Sequence, residues 1–196
     1  GRLDGTGLAA LLTGAGVEAV VDVRRFPGSR ANPDSARGQI PVTLAGVGID
    51  YRWDERLGGR RSLPAAERES SPDRWWRVEA FRAYAGWTRS DEFRSAVPEL
   101  VADDDLRITA IMCSEAVWWR CHRRLISDVL VLEQGVEVRH LMHDGRVVEH
   151  VPSEGARLDA DGHVVWDRDP ESPPQCPQCG PPGALAGART AYSLPC

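Results

Sequence analysis

Residues 106–130 read LRITAIMCSEAVWWRCHRRLISDVL, and this stretch decides the fold. The apolar, partly β-branched run over residues 108–112 predicts a buried strand that ends near Cys113. From about Trp119 onward, apolar residues recur at helical spacing, which predicts a helix that starts near Arg120. A strand, a turn and a helix in this order are typical of α/β proteins, which bind ligands where their strands end.

The rest of the chain alternates between predicted strands and helices. Strands are predicted over residues 17–23, 49–53 and 136–142, and helices over residues 6–14, 39–47, 76–88 and 90–102. This alternation predicts an α/β fold with a mostly parallel sheet flanked by helices, in a three-layer, Rossmann-like arrangement. Residues 146–150 could extend the sheet, and residues 62–73 are expected to form an exposed insertion.

The composition changes after residue 150, where Pro, Gly, acidic and small residues dominate. We therefore expect an α/β domain over residues 1–150, then a linker and tail over residues 151–196 with a small hairpin near Asp161. Within the tail, Cys176 and Cys179 form a Cys-x-x-Cys-Gly knuckle, which could be part of a zinc site, although a closed site needs four ligands. No other cofactor is expected.

Composition and charge narrow the classes of function. The formal net charge is -5, which argues against coating of a long nucleic acid, but residues 20–61 carry eight arginines against five acidic residues. All 24 basic residues are arginine, a side chain suited to phosphate and carboxylate. The sequence has neither a long apolar run nor a signal peptide, and its cysteine count is odd. We therefore expect a cytoplasmic protein with reduced thiols and no membrane partner.

Three residues at predicted strand ends are candidates for catalysis. Cys113 near a helix start and an arginine would have a lowered thiol pKa, although buried structural cysteines are common. Glu115 and Asp22 could form a carboxylate pair for hydrolysis or glycosyl transfer; the alternative for Glu115 is a helix cap or an ion pair. Cys113 and Cys121 could also form a redox pair.

The predicted helix start carries a second group of candidates. Cys121 and His122 are expected to face inward, where His122 could simply be a core histidine. Arg120 and Arg123, three residues apart at the positive end of the helix, are expected to bind an anion together. One turn further on, Arg124 is expected to form a charge pair with Asp128, four residues later.

Two loops and one aromatic side chain complete the predicted binding site. Arg24, Arg30 and Asn32 follow the first predicted strand, while Arg60 and Arg61 follow the Gly58-Gly59 pair, where a ligand could approach the backbone closely. Two loops that bring arginines to one sheet edge suggest a site for phosphate or carboxylate. Trp119, next to these arginines, could stack on a nucleobase, and core packing is the alternative.

Four motifs in order resemble the DUF488 family, a domain of unknown function. They are VVDVRRFPGSRANP, YRWDERLGGRR, WWRVEAFRAYAGW and MCSEAVWWRCHRRLISDVL, and the resemblance covers about residues 1–150. It implies an α/β fold and adds Tyr51 to the expected binding residues, but it implies little about activity. Family members usually open with a strand ending T-I-G-H-S, and this chain begins about where that strand would end.

These patterns lead to one expected function and two alternatives. We expect an enzyme, of hydrolase or glycosyl-transfer type, that binds an anionic, phosphorylated or nucleotide-like ligand, or a short nucleic-acid segment, in an arginine-rich cleft. The first alternative is a nucleotide or nucleic-acid binding module without catalysis. The second is thiol or redox chemistry at Cys113.

Overall fold

The computed structural model describes residues 3–27, 38–168 and 190–195. The helices are α1 (Gly5–Gly14), α2 (Gln39–Ala45), α3 (Ala65–Ser70), α4 (Glu79–Trp87), α5 (Asp91–Leu106) and α6 (Arg123–Leu132). The strands are β1 (Ala19–Asp22), β2 (Asp50–Trp53), β3 (Thr109–Cys113), β4 (Glu137–Leu141), β5 (Val147–Glu149), β6 (Ala156–Leu158), β7 (Val164–Trp166) and β8 (Thr190–Pro195).

Six of these strands form one sheet in the order β2-β1-β3-β8-β4-β5. The first five strands in that order run parallel to their neighbours, and β5 alone is antiparallel, paired to β4. A mostly parallel sheet puts the carboxyl ends of β1, β2, β3, β8 and β4 at one edge. The predicted α/β fold is therefore confirmed, as is the extension of the sheet by the segment after β4.

Two apolar cores cover the two faces of the sheet. Val21 of β1 lies opposite Ile111 of β3, and Asp22 lies opposite Met112. Because successive side chains of a strand point to opposite faces, Val21, Ile111 and Cys113 face the core that contains α4, α5 and α6. Met112 faces the second core, against α1 and α2. Asp22 and Cys113 therefore point to opposite faces of the sheet.

The chain beyond residue 150 contributes more structure than its composition predicts. The hairpin of β6 and β7 confirms the predicted turn near Asp161, and its Val164 and Trp166 belong to the core against α6. Strand β8, where only a tail is predicted, lies in the middle of the sheet between β3 and β4. Its pairing partners lie far away in the sequence, and no local pattern marks such a strand.

Several predicted element boundaries shift. Helix α6 begins at Arg123 rather than near Arg120, because Cys121 is extended and ends a short 3-10 turn over Trp118–Arg120. Helix α4 begins at Glu79 rather than at residue 76. In contrast, Ser90 caps α5 as predicted, and its hydroxyl accepts a 3.3 Å hydrogen bond from the Phe93 amide.

The predicted exposed insertion over residues 62–73 is only partly exposed. Its helix α3 has no buried residue. Asp73 at its end is fully buried, and Arg89 donates to its carboxylate at 2.6 Å. No helix in the described part of the chain is both long and apolar enough to cross a membrane.

The predicted charge pair on α6 is not a direct ion pair among the described contacts: burial lowers the pKa of Arg124, and the charge of Asp128 only opposes this. Asp128 is fully buried, and its carboxylate accepts hydrogen bonds from His150 Nε2 at 2.9 Å, the Ser153 amide at 2.9 Å and Trp166 Nε1 at 2.7 Å. Arg124 instead donates to the Ser153 hydroxyl. Asp128 thereby joins α6 to the chain after β5 and to β7.

Candidate functional site

Two thiols and one imidazole meet where β3 ends and α6 begins. Cys113 closes β3, while Cys121 and His122 lie just before α6. His122 Nδ1 lies 3.5 Å from Cys121 Sγ and 4.0 Å from Cys113 Sγ, and the three atoms all lie within 4.8 Å of one another. Both cysteines are free thiols. We call Cys113, Cys121 and His122 the thiol–imidazole centre.

The imidazole of His122 is held in one orientation. Its Nε2 lies 3.0 Å from the carbonyl oxygen of Val23, and a carbonyl can only accept. Nε2 therefore carries the proton, and in the neutral ring Nδ1 presents its lone pair to the two sulfurs. The ring edge also contacts Tyr84, with 5.0 Å between the ring centroids. The centre thus has a defined tautomer.

Two glycines are required by close contacts around this centre. A Cβ atom at Gly58 would lie 2.7 Å from the Arg25 backbone, and one at Gly59 would lie 2.7 Å from His122 Nδ1. Side chains are therefore excluded at both positions. In this structure the glycine pair makes room for the chain's own Arg25 and His122.

The two thiols differ strongly in acidity. The hydrogen bond to Cys121 and burial raise the pKa of Cys113 to about 12. Burial also raises the pKa of Cys121, but the Cys113 hydrogen bond and the Arg123 guanidinium outweigh it and lower the pKa to about 6. The sequence had assigned the lowered pKa to Cys113. The assignment is reversed because the arginine side chain reaches Cys121, so negative charge in the pair resides on Cys121.

Arg123 lies at the centre of this electrostatic arrangement. It is fully buried, its Nε donates to Cys121 Sγ at 3.4 Å, and its Nη2 donates to the Glu115 carbonyl oxygen. Its Nη1 has no hydrogen-bond partner, and no described carboxylate forms an ion pair with it. Arg120 is exposed. The two arginines thus lie in different environments rather than on one shared face.

The predicted carboxylate pair does not form. Asp22 is fully buried and bonded to Arg24, with 2.8 Å from Arg24 Nε to Asp22 Oδ1, and it accepts the Tyr51 hydroxyl at 2.7 Å. Burial and the Asp22 carboxylate raise the pKa of Tyr51. Glu115 is exposed, and among the described residues it makes no contact with Asp22. Asp22, Arg24 and Tyr51 form a buried polar cluster on the α1 and α2 side.

Three arginines surround the glycine pair next to the centre. Arg25 donates to the Arg60 carbonyl oxygen at 2.7 Å, and Arg60 has a positive φ of 57°. Arg61 donates to the Gly58 carbonyl oxygen at 2.9 Å. Burial lowers the pKa of Arg61, and the charge of Arg25 lowers it further. We call Arg25, Arg60 and Arg61 the cationic rim.

Of the remaining predicted site residues, the structure describes Trp119 but not the four residues in its undescribed segments. Trp119 is 45% exposed, whereas Trp118 stacks on His140 at 3.6 Å between centroids. Four predicted residues lie outside the described residues: Arg30, Asn32, Cys176 and Cys179.

A buried histidine chain lies on the same side of the sheet. His150 Nε2 donates to Asp128, and His150 Nδ1 lies at a hydrogen-bonding distance of 2.9 Å from His140 Nε2. His140 Nδ1 is buried and finds no hydrogen-bond partner among the residues that the structure describes. Burial, His150 and Arg123 lower the pKa of His140 to about 2. His140 is therefore neutral in the folded protein at physiological pH.

This depressed pKa predicts acid sensitivity. The unfolded chain binds a proton at His140 near pH 6.5, but the folded protein does so only near pH 2, so stability falls as pH drops below about 6.5. His140 alone contributes about 1.4 kcal/mol per pH unit to the dependence of the unfolding free energy on pH. Urea denaturation at several pH values between 6.5 and 4.5 measures the free energy of unfolding. This free energy should fall less steeply with decreasing pH in His140→Phe than in wild type. Equal slopes in wild type and His140→Phe would contradict the prediction.

Sequence reasoning considered each member of the centre but not the three together. The spacing from Cys113 to Cys121 matches no standard ligand motif, and the contact depends on the extended backbone at Cys121. The available signal was a Cys-His pair at a helix start, directly after a strand that ends in cysteine. Arg61 was expected beside Arg60 after the glycine pair, but Arg25 was missed, because its contact with the Arg60 backbone forms only in three dimensions.

The fold and site together define an α/β protein with a thiol–imidazole centre at the carboxyl edge of a parallel sheet. Residues 6–130 match the model of DUF488, described as a domain of unknown function, and this match covers well over half of the chain and includes the whole centre. The chain belongs to the DUF488 family, as its motifs had indicated. Comparison with curated proteins and with solved structures finds no match to either.

Proposed function

We propose that this protein is an enzyme of hydrolase type that acts on an anionic ligand, phosphorylated or nucleotide-like. The thiol–imidazole centre performs the chemistry and the cationic rim binds the ligand. The observation that carries the proposal is the meeting of two thiols and an oriented imidazole at the carboxyl edge of a parallel sheet. Ligand sites of open α/β sheets lie at this edge.

The electrostatics of the centre favour reactivity over a purely structural role. A buried guanidinium needs negative charge nearby, and Arg123 finds it in sulfur rather than in a carboxylate. His122 presents a lone pair to the same sulfurs, where it can accept a proton. A proton-accepting imidazole, a thiol and a guanidinium held in a fixed mutual geometry are typical of an active site.

The cationic rim supports an anionic ligand. Arg60 follows Gly59, which contacts the His122 ring, so the rim begins directly beside the centre. Arg25 and Arg61 lie close enough for the charge of one to lower the pKa of the other, and a bound phosphate or carboxylate would relieve that repulsion. A short nucleic-acid segment would present the same chemistry.

Glycosyl transfer through two carboxylates has less support. The Asp22 carboxylate is hydrogen-bonded to Arg24 and Tyr51. Glu115 is exposed, and the described contacts include no hydrogen bond or ion pair between it and Asp22. A non-catalytic nucleotide-binding role is favoured by one observation, the exposed ring of Trp119 next to Arg120. The proposal places the protein in a reducing compartment such as the cytoplasm, because Cys113 and Cys121 must remain free thiols.

The test is a hydrolysis assay over phosphomonoesters, nucleotides and short oligonucleotides, with thermal shift recorded for each ligand. Cys121→Ala should lower turnover by about 10²-fold or more, as for loss of a reacting group. Arg60→Gln should raise KM more than it lowers kcat. Arg94→Ala is the matched control, since Arg94 is an exposed arginine of α5.

Two outcomes would contradict the proposal. Turnover that survives unchanged in Cys121→Ala would remove the centre from the chemistry. A ligand that stabilises the protein but is never converted, with stabilisation lost in a Trp119→Ala variant, would favour the binding module instead.

A further inference from the structure

We propose that Cys113, Cys121 and His122 bind one zinc ion through two sulfurs and one imidazole nitrogen, with the fourth coordination position left open. This inference rests on the proposed function for its role, because it names the cofactor of the same centre. Its evidence is the geometry and charge of the three side chains.

The distances between the donor atoms already suit a tetrahedral ion. With Zn–S of about 2.3 Å and Zn–N of about 2.0 Å, the tetrahedral angle sets sulfur–nitrogen separations of roughly 3.5 Å and a sulfur–sulfur separation of roughly 3.8 Å. The Nδ1 atom of His122 lies 3.5 Å and 4.0 Å from the two sulfurs. The two sulfurs lie within 4.8 Å of each other. The two measured sulfur–nitrogen distances thus lie close to the separation that a shared ion requires.

The orientation of His122 matches that of a ligating histidine. Metal-bound imidazoles almost always donate their second ring N–H to a carbonyl or carboxylate, which fixes the tautomer. His122 has this arrangement, with Nε2 directed at the Val23 carbonyl and Nδ1 at the sulfurs. Gly59 leaves room for the ring in this position, since a Cβ atom there would lie 2.7 Å from Nδ1. The third ligand is therefore positioned before any ion binds.

The charges around the centre balance when an ion is bound. Two thiolates neutralise the 2+ charge of zinc, and the N–H of Arg123 Nε supports the Cys121 sulfur at 3.4 Å. The fully buried Arg123 has no carboxylate partner among the described residues, and its Nη1 is unpaired. The positive charge of Arg123 is then the one still to be balanced. A hydroxide or substrate oxygen at the open position would supply a negative charge and a hydrogen-bond acceptor in this region. A buried guanidinium is costly without such a counterion.

The ligand types select the metal. Thiolate and imidazole favour zinc over magnesium or calcium, which prefer oxygen. Three protein ligands with an open fourth position are typical of catalytic rather than structural zinc, and zinc lowers the pKa of a bound water to about 7. Hydrolysis is the reaction class that such a water serves.

The experiment measures zinc per chain in the full-length protein, purified with a reductant and dialysed against metal-free buffer. Wild type should retain about one zinc at this centre, and Cys121→Ala should lose it. Alanine is used because it leaves no unpaired hydroxyl at this buried position. The matched control is the double variant Cys176→Ser/Cys179→Ser, which removes the other cysteine pair and should keep the ion. His122→Asn is a second ligand variant at a less buried position, and circular dichroism confirms folding of each.

Thermal stability gives a second readout that needs no substrate. A chelator should lower the Tm of wild type and of the tail double variant, and leave the Tm of Cys121→Ala unchanged. The inference is overturned if folded wild type holds no zinc, or if the tail variant loses the ion while Cys121→Ala and His122→Asn keep it. Zinc-free protein whose turnover still depends on Cys121 would overturn the metal inference and leave the proposed function standing.

Discussion

Replacing Asp128 with alanine is expected to lower the free energy of unfolding by about 3–5 kcal/mol, the usual cost of breaking a buried polar or ionic pair. The carboxylate is fully buried and accepts three hydrogen bonds, from His150, the Ser153 amide and Trp166. Alanine leaves all three donors buried without acceptors. Equilibrium denaturation in guanidinium chloride at pH 7 measures the loss.

The control for this prediction is Asp144→Ala. Asp144 lies in the turn between β4 and β5, is about half exposed, and bonds to the exposed Arg146. Surface pairs of this kind contribute little to stability, because solvent screens them. If Asp128→Ala cost no more than Asp144→Ala, Asp128 would not join α6 to β7 and to the chain after β5 as described here.

Gly59→Ala is expected to reduce turnover by about 10²-fold and to release most of the bound zinc, while the protein stays folded. The added Cβ atom would lie 2.7 Å from His122 Nδ1 and 3.1 Å from His122 Cγ, so the ring must leave the position in which Nδ1 lies beside both sulfurs. Misplacement of a reacting or ligating group by about 1 Å can cost 10²-fold in rate. The measurements are kcat and zinc content, with Tm as a check on folding.

The matched control is Gly14→Ala at the end of α1. A Cβ atom there meets nothing within 4 Å, so the methyl group is accommodated. Both variants make the same chemical change, and they differ only in what the new methyl group contacts. Wild-type turnover and zinc content in Gly59→Ala would show that His122 does not have to occupy its observed position.

Local patterns were sufficient to predict the sheet and the first member of the centre. The apolar run before Cys113 predicts a buried strand, and β3 ends at that residue. Because the strands alternate with helices, the parallel arrangement and its carboxyl edge follow as well. Strand β8 could not be predicted in this way, since its place between β3 and β4 depends on contacts across the whole chain.

The electrostatics of the site depended on details that spacing does not reveal. The sequence offered many arginines near Cys113, but only the start of α6 at Arg123 turns one of them inward against Cys121. Asp22 at a strand end resembled a catalytic acid, yet Arg24 two residues later is close enough to pair with it fully. Which charge meets which partner is a property of the folded chain.

The central claim is that Cys113, Cys121 and His122 act as one centre. X-ray absorption at the zinc edge of the Cys176→Ser/Cys179→Ser variant tests it most directly, because it counts the atoms around the ion. We expect two sulfurs at about 2.3 Å from the zinc ion, one imidazole nitrogen at about 2.0 Å and one further light atom. A shell without sulfur, or with sulfur but no imidazole, would contradict it.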